Sequence, residues 1–159
     1  HKMEPIKSLK SLTAYLKSHN RRFKIAVANG HDSNTINALN MAAQEGLVEP
    51  ILVGDGNLIN KTLAESNINP SMFQIVDEND EIKALDMALA MVKNNDADIL
   101  MKGLIGTDKF LHAVLNKEKG LMQPKAVMSY VCAVEVPKYH KLLFITATMN
   151  NIGITLFLD

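Results

Sequence analysis

Ala97-Asp98-Ile99-Leu100-Met101-Lys102-Gly103-Leu104-Ile105-Gly106-Thr107-Asp108 is a short apolar run closed by a cation and two glycines, and it opens a helical pattern that lasts through Leu115. Locally it reads as a β-strand passing through a loop into a helix. The same grammar recurs upstream. Phe23–Ala28 is a β-rich run, followed by the loop Asn29-Gly30-His31-Asp32-Ser33-Asn34 and a helix carrying Ile36, Leu39, Ala42 and Ala43, with Gly46 as its stop signal. Ile51-Leu52-Val53 leads through Gly54-Asp55-Gly56 into a helix over Leu58–Glu65. A strand over Phe73–Val76 leads through an acidic turn into the most regular helix of the chain, with Ile82, Leu85, Leu89 and Val92 on one face and Met87, Ala88 and Met91 widening it. Strands near 23–28, 51–53, 73–76 and 98–101, each followed by a helix, predict a doubly wound α/β fold: a parallel sheet with helices on both faces.

Outside this region the pattern changes. Ile6, Leu9, Leu12, Tyr15 and Leu16 have helical spacing behind Pro5, predicting an amphipathic helix laid over the core. After Gly120 and Pro124 two β-rich runs, 126–136 and 141–146, have nothing helical between them and are expected to pair antiparallel. The boundaries drawn from this are an N-terminal α/β domain over 3–120 and the start of a second domain over 121–159. Residues 151–159 are too apolar for an ordinary tail, and the sequence assigns them no packing partner.

The 159 residues are 47% hydrophobic and 21% charged, within the globular range and outside the disordered one. Seventeen basic and seventeen acidic residues cancel, which argues against a nucleic-acid binder working by bulk charge. No apolar run approaches the roughly 18 residues that would span a bilayer. A single cysteine, Cys132, excludes an internal disulfide, and a buried inert thiol is its plainest reading. No Cys/His spacing suggests a metal site. These features together predict a soluble cytoplasmic protein.

Ligands of open parallel sheets bind where strands end and loops enter helices. The acidic turn 77–80 is a poor anion site, and Gly54-Asp55-Gly56 is explained by a tight turn with a cap. Lys102-Gly103-x-x-Gly106-Thr107 is a better candidate, because glycines admit an anion to backbone N–H groups, the helix dipole favours negative charge and lysine adds a cation. A Walker A spacing is absent. The competing reading makes Thr107 an N-cap and leaves Lys102 on a solvated edge. Asn29 to Asn34 likewise reads either as a ligand lip or as an Asx-turn with a Ser33 cap. His31 is a possible acid–base group or anion donor, and equally an exposed loop residue.

Lys24–Asp32, Gly46–Asp55 and Ala97–Asp108, three motifs in order, resemble the phosphate acetyl/butyryltransferase family, and the last is closer to the phosphate butyryltransferase branch. The similarity runs from about residue 22 to residue 146. It implies transfer of a short acyl group, butyryl or acetyl, between coenzyme A and inorganic phosphate to give an acyl phosphate, with no metal and no cofactor beyond coenzyme A as substrate. It also implies two α/β domains of the isocitrate/isopropylmalate dehydrogenase type facing across a cleft, in a homodimer. On that template Lys102, Gly103, Gly106 and Thr107 hold the phosphate side, Ser129 lies near the cleft, and Asn29, Gly30, His31, Asp32 and Ser33 line the opposite lip. The serine and aspartate proposed as catalytic in such enzymes fall beyond this chain, so the catalytic residues stay unassigned. Tyr130 stands where the butyryl branch has histidine, and Thr146-Ala147 stands where the family tends to read Thr-Asp. The resemblance therefore implies an N-terminal half with little acyl transfer of its own, the alternative being a catalytically incomplete coenzyme A/phosphate-binding or scaffold protein of the same fold.

Overall fold

The computed structural model describes residues 17–18, 20, 22–116, 130–136, 141–147 and 153–158. The chain runs β1 (Phe23–Ala28), α1 (Ser33–Gln44), β2 (Val48–Gly54), α2 (Gly56–Glu65), a 3₁₀ turn (Pro70–Met72), β3 (Gln74–Asp77), α3 (Glu81–Lys93), β4 (Ile99–Lys102), α4 (Thr107–Leu115), β5 (Tyr130–Val136), β6 (Lys141–Ala147) and β7 (Gly153–Leu158). The first four strands form one sheet in the order β3-β2-β1-β4, and every pairing in it is parallel.

The two faces of this sheet explain why β1 and β2 are apolar beyond their first two residues. Ile25 and Val27 of β1 and Leu52 of β2 meet Ile36 and Leu39 of α1 and Ile59 and Leu63 of α2. On the other face Ala26, Ala28, Ile51, Val53 and Leu100 meet α3, together with Phe110 and Val114 of α4. A strand covered on both sides has no position for a polar residue until its end. The two alanines of β1 give α3 room for close approach, and α3 answers with Ala84 and Ala88. Helices on both faces match the doubly wound expectation.

α1, α2 and α3 are stopped in the same way. A left-handed residue follows the C-cap: Gly46 (φ 74°), Asn67 (φ 53°) and Asn95 (φ 62°). After α1, for example, Gly46 N–H donates to the Ala43 carbonyl at 3.0 Å and Leu47 N–H to the Ala42 carbonyl at 3.1 Å. This is a Schellman ending, which satisfies the last carbonyls and turns the chain back toward the sheet.

Several expectations need correction. β2 begins at Val48, not Ile51, and contains Pro50. That proline is accommodated because pairing with β3 starts only at Ile51. α2 begins at Gly56, with Asp55 as its cap. Ile82 is not on the buried face of α3: it is 46% exposed, and Ala84, Leu85, Ala88, Leu89 and Val92 make the stripe.

β5, β6 and β7 form a separate antiparallel sheet in that order. The expected pairing of the two β-rich runs is present, with Tyr130 opposite Ala147 and Val136 opposite Lys141. The last apolar stretch, without an assigned partner in the sequence reading, pairs with β6 from Leu142↔Leu158 to Ala147↔Gly153. The expected amphipathic helix over 6–16, the boundary between residues 120 and 121, and the burial of the Cys132 side chain lie outside what is described. Among the described residues no helix is long and apolar enough to cross a membrane.

Candidate functional site

From β1 the sheet grows through β2 to β3, and then β4 is added on the other side of β1. The strand order therefore reverses between β1 and β4. At such a point the loops leaving the two carboxyl ends diverge to opposite faces and open a crevice. The loops that leave these two strands are Asn29–Asp32 and Gly103–Gly106, the two stretches singled out from composition.

They are joined by backbone. Gly103 N–H donates to the Ala28 carbonyl at 2.8 Å, and Leu104 N–H to the Asn29 carbonyl at 2.9 Å. A Cβ on Gly103 would collide with the Asn29 carbonyl oxygen and come within 2.7 Å of that of Ala28. Glycine is required there by close approach of two backbones.

In the first loop, Asn29 is 5% exposed and has φ 58°. Its N–H donates to the Val53 carbonyl at 2.7 Å, and its side-chain amide donates to the Glu81 carbonyl at 3.1 Å. Gly30 is buried, with no room for a Cβ against Val27. The His31 carbonyl accepts from Thr62 Oγ1 of α2 at 2.8 Å. Asp32, not Ser33, caps α1: its Oδ2 accepts from Thr35 N–H at 3.1 Å and Thr35 Oγ1 at 2.9 Å. Ser33 is the first helical residue and is exposed. His31 Nδ1 and Asp32 Oδ1 are buried and have no hydrogen-bond partner. Such atoms carry a desolvation penalty of about 1–3 kcal/mol each.

In the second loop, Lys102 is not on a solvated edge. It ends β4 with 8% exposure, and its Nζ lies 3.4 Å from the Gly103 carbonyl oxygen. Gly106, not Thr107, is the N-cap of α4, and it offers no side-chain hydrogen bond. The other three helices are capped by aspartates: Asp32, Asp55 and Asp80. At α2 a second carboxylate is added, since Asp77 Oδ1 accepts from Gly56 N–H at 2.8 Å. Among the described helices α4 alone presents its first N–H groups without a side-chain cap, which leaves the positive end of its dipole open. Asp108 in its first turn brings a carboxylate to this end, with Oδ1 2.8 Å from where a Gly106 Cβ would stand. Lys109 Nζ pairs with Glu81 Oε2 at 2.9 Å, and the hydrogen bond and charge of Glu81 raise the lysine pKa above its ordinary value.

Seven expected site residues thus stand at the adjacent carboxyl ends of β1 and β4 or in the loops that leave them: Asn29, Gly30, His31, Asp32, Lys102, Gly103 and Gly106. Thr107 is placed there by its backbone, whereas Ser33 faces solvent on α1, and Ser129 lies outside the described residues. Sequence reasoning missed Thr62 and Glu81. Their contacts run to backbone carbonyls or from one, and such partners leave no trace in composition. A groove of about 540 Å³ between α3 and α4, lined by Ile82, Leu85, Asp86 and His112, reaches the site only through Asp108 and Lys109. Among the described residues no three His, Cys, Asp or Glu side chains are grouped to hold a metal ion.

Comparison with known proteins places the chain in a family. The family model described as phosphate acetyl/butaryl transferase matches residues 8–88. The chain is 38% identical over 146 residues to the phosphate butyryltransferase of Clostridium acetobutylicum, covering 92% of this chain and 48% of that protein. It is 39% identical over 128 residues to the phosphate butyryltransferase of Clostridium beijerinckii, covering 80% and 42%. In fold it is similar to a phosphotransacetylase from Streptococcus pyogenes, with a TM-score of 0.58 at 16% identity over 86% of this chain and 50% of that one. The chain spans less than half the length of these two curated relatives. With the family match covering the first loop and the three strands that lead up to α3, and these relatives extending it through β4 and its glycine loop, the chain belongs to the phosphate acetyl/butaryl transferase family.

Proposed function

We propose that this chain supplies the phosphate-holding side of a short-chain acyl transfer between coenzyme A and inorganic phosphate. The observation that carries the reading is the uncapped N-terminus of α4 beside buried Lys102, at the crevice between β1 and β4. Fixed N–H groups, a helix dipole and a cation in a poorly hydrated place suit a small dianion. The family to which the chain belongs supports the choice of phosphate over other anions.

In the forward step a phosphate oxygen attacks the thioester carbonyl. A C–O bond forms, the C–S bond breaks, and the thiolate leaves with the bonding pair and takes up a proton. Orientation of the phosphate is the contribution these residues are suited to make, since holding two reactants in line supplies much of the barrier reduction. Asp108, exposed at the same helix end, sets an upper limit on anion affinity through its charge. The acid–base group remains unassigned. The rest of the reading follows the family: a second α/β domain closes the cleft in the dehydrogenase-type arrangement, and coenzyme A enters as substrate in a cytoplasmic homodimer that needs no metal.

The test is thiol release from butyryl-CoA with and without phosphate, with phosphate binding measured on the same sample. The 159-residue chain is expected to bind phosphate while turning over far below the median enzyme rate of about 10 s⁻¹. Turnover near that rate by this chain would move the catalytic assignment onto His31, Lys102 and Ser129. Failure to bind phosphate would sink the proposal.

A further inference from the structure

The crevice needs its two lips held at a fixed separation, and one residue touches everything that sets it. Asn29 turns the chain out of β1 through a left-handed conformation, φ 58°, which asparagine tolerates better than most side chains. Its N–H is tied to β2 through Val53 O, its carbonyl to the β4 loop through Leu104 N–H, and its amide to the first residue of α3 through Glu81 O. Glu81 then reaches across to Lys109 in the first turn of α4. Two routes therefore run from Asn29 to the helix end where the anion would sit: a short one through Leu104, and a second through Glu81 and Lys109. At 5% exposure, with its amide donating to Glu81 O, Asn29 has little surface left for a substrate.

We infer that Asn29 is a positioning residue and not a ligand contact: it fixes the orientation of the N–H groups at the start of α4 by bracing them against β1 and α3. The inference rests on the phosphate reading above and assigns a different role to a residue expected on the ligand lip.

The experiment compares the unmutated chain with Asn29→Gly, which keeps the left-handed turn available and removes the side chain with its amide, and with Glu81→Ala, which cuts the second route at a half-exposed side chain. Phosphate affinity and hydrogen exchange at the Leu104 and Ile25 amides are read on each. Asn29→Gly is expected to weaken phosphate binding about five- to tenfold, the scale of one buried hydrogen bond, and to speed exchange at Leu104 but not at Ile25. Glu81→Ala is expected to weaken binding about twofold, the scale of an exposed ion pair. The sign is informative, because removing a carboxylate near an anion would by charge alone tighten binding. Unchanged affinity in Asn29→Gly with faster exchange at Leu104 overturns the positioning role, as does tighter binding in Glu81→Ala. No phosphate binding by the unmutated chain overturns the anion reading itself, and the inference falls with it.

Discussion

Gly103→Ala is expected to lower the melting temperature by about 6–12 °C and to abolish phosphate binding. The added methyl meets the carbonyl oxygens of Asn29 and Ala28, which are backbone atoms and cannot rotate away. Relief requires β4 and its loop to move off β1, and that breaks the bonds from Gly103 N–H at 2.8 Å and Leu104 N–H at 2.9 Å. Two lost hydrogen bonds at about 1 kcal/mol each, with a steric term of about 1 kcal/mol left after that movement, sum to roughly 3 kcal/mol. For a chain of this size each 1 kcal/mol corresponds to about 2–4 °C. The same movement separates the lips of the crevice, so binding is lost even in the fraction that remains folded. A melting temperature within a degree or two of the unmutated chain would show that the loops are not pressed together as described.

Lys102→Met separates binding from stability. The methionine keeps the apolar length of the stem and removes a charge from a place that is 8% exposed. The lysine also donates to the Gly103 carbonyl at 3.4 Å, so the fold is expected to lose about 1 kcal/mol, less than the loss in binding. Phosphate affinity should fall roughly 10- to 150-fold, the equivalent of one charge-assisted hydrogen bond at about 1.5–3 kcal/mol. Calorimetric titration beside thermal melting gives both quantities. Equal affinity in the two proteins would leave Lys102 with no part in anion binding.

Much of the fold was legible because a parallel sheet covered on both sides must be built from short continuous apolar runs. Phe23–Ala28 was readable to the residue, and Gly46 marked its helix end through the one conformation that favours glycine. β2 was read short because proline is a poor sign of an interior strand, and only the late start of β3 makes Pro50 admissible there. Ile82 was misplaced for a related reason. Periodicity counts large apolar residues, whereas the stripe that faces the small residues of β1 is rich in alanine. β7 could not be given a partner because antiparallel pairing with β6 is a long-range fact with no local signal.

The site was legible in its parts but not in its assembly. Composition singled out the loops after β1 and β4 one at a time. That they face each other depends on the order β3-β2-β1-β4, which no local pattern encodes. Capping was read one residue late in both loops, at Ser33 and Thr107 in place of Asp32 and Gly106. In the second loop the correction matters, since a glycine cap is what leaves the α4 N–H groups open.

On the proposed function, phosphate sits at the start of α4, between the loops that leave β1 and β4. The most direct test of that placement is a phosphate titration of the ¹⁵N-labelled chain, following every backbone amide. Saturable shifts concentrated at Gly103 to Lys109, with smaller ones at Asn29 to Asp32, are the predicted result. Shifts confined to another part of the surface, such as the basic residues Arg22 and Lys24 at the opposite end of β1, would contradict it.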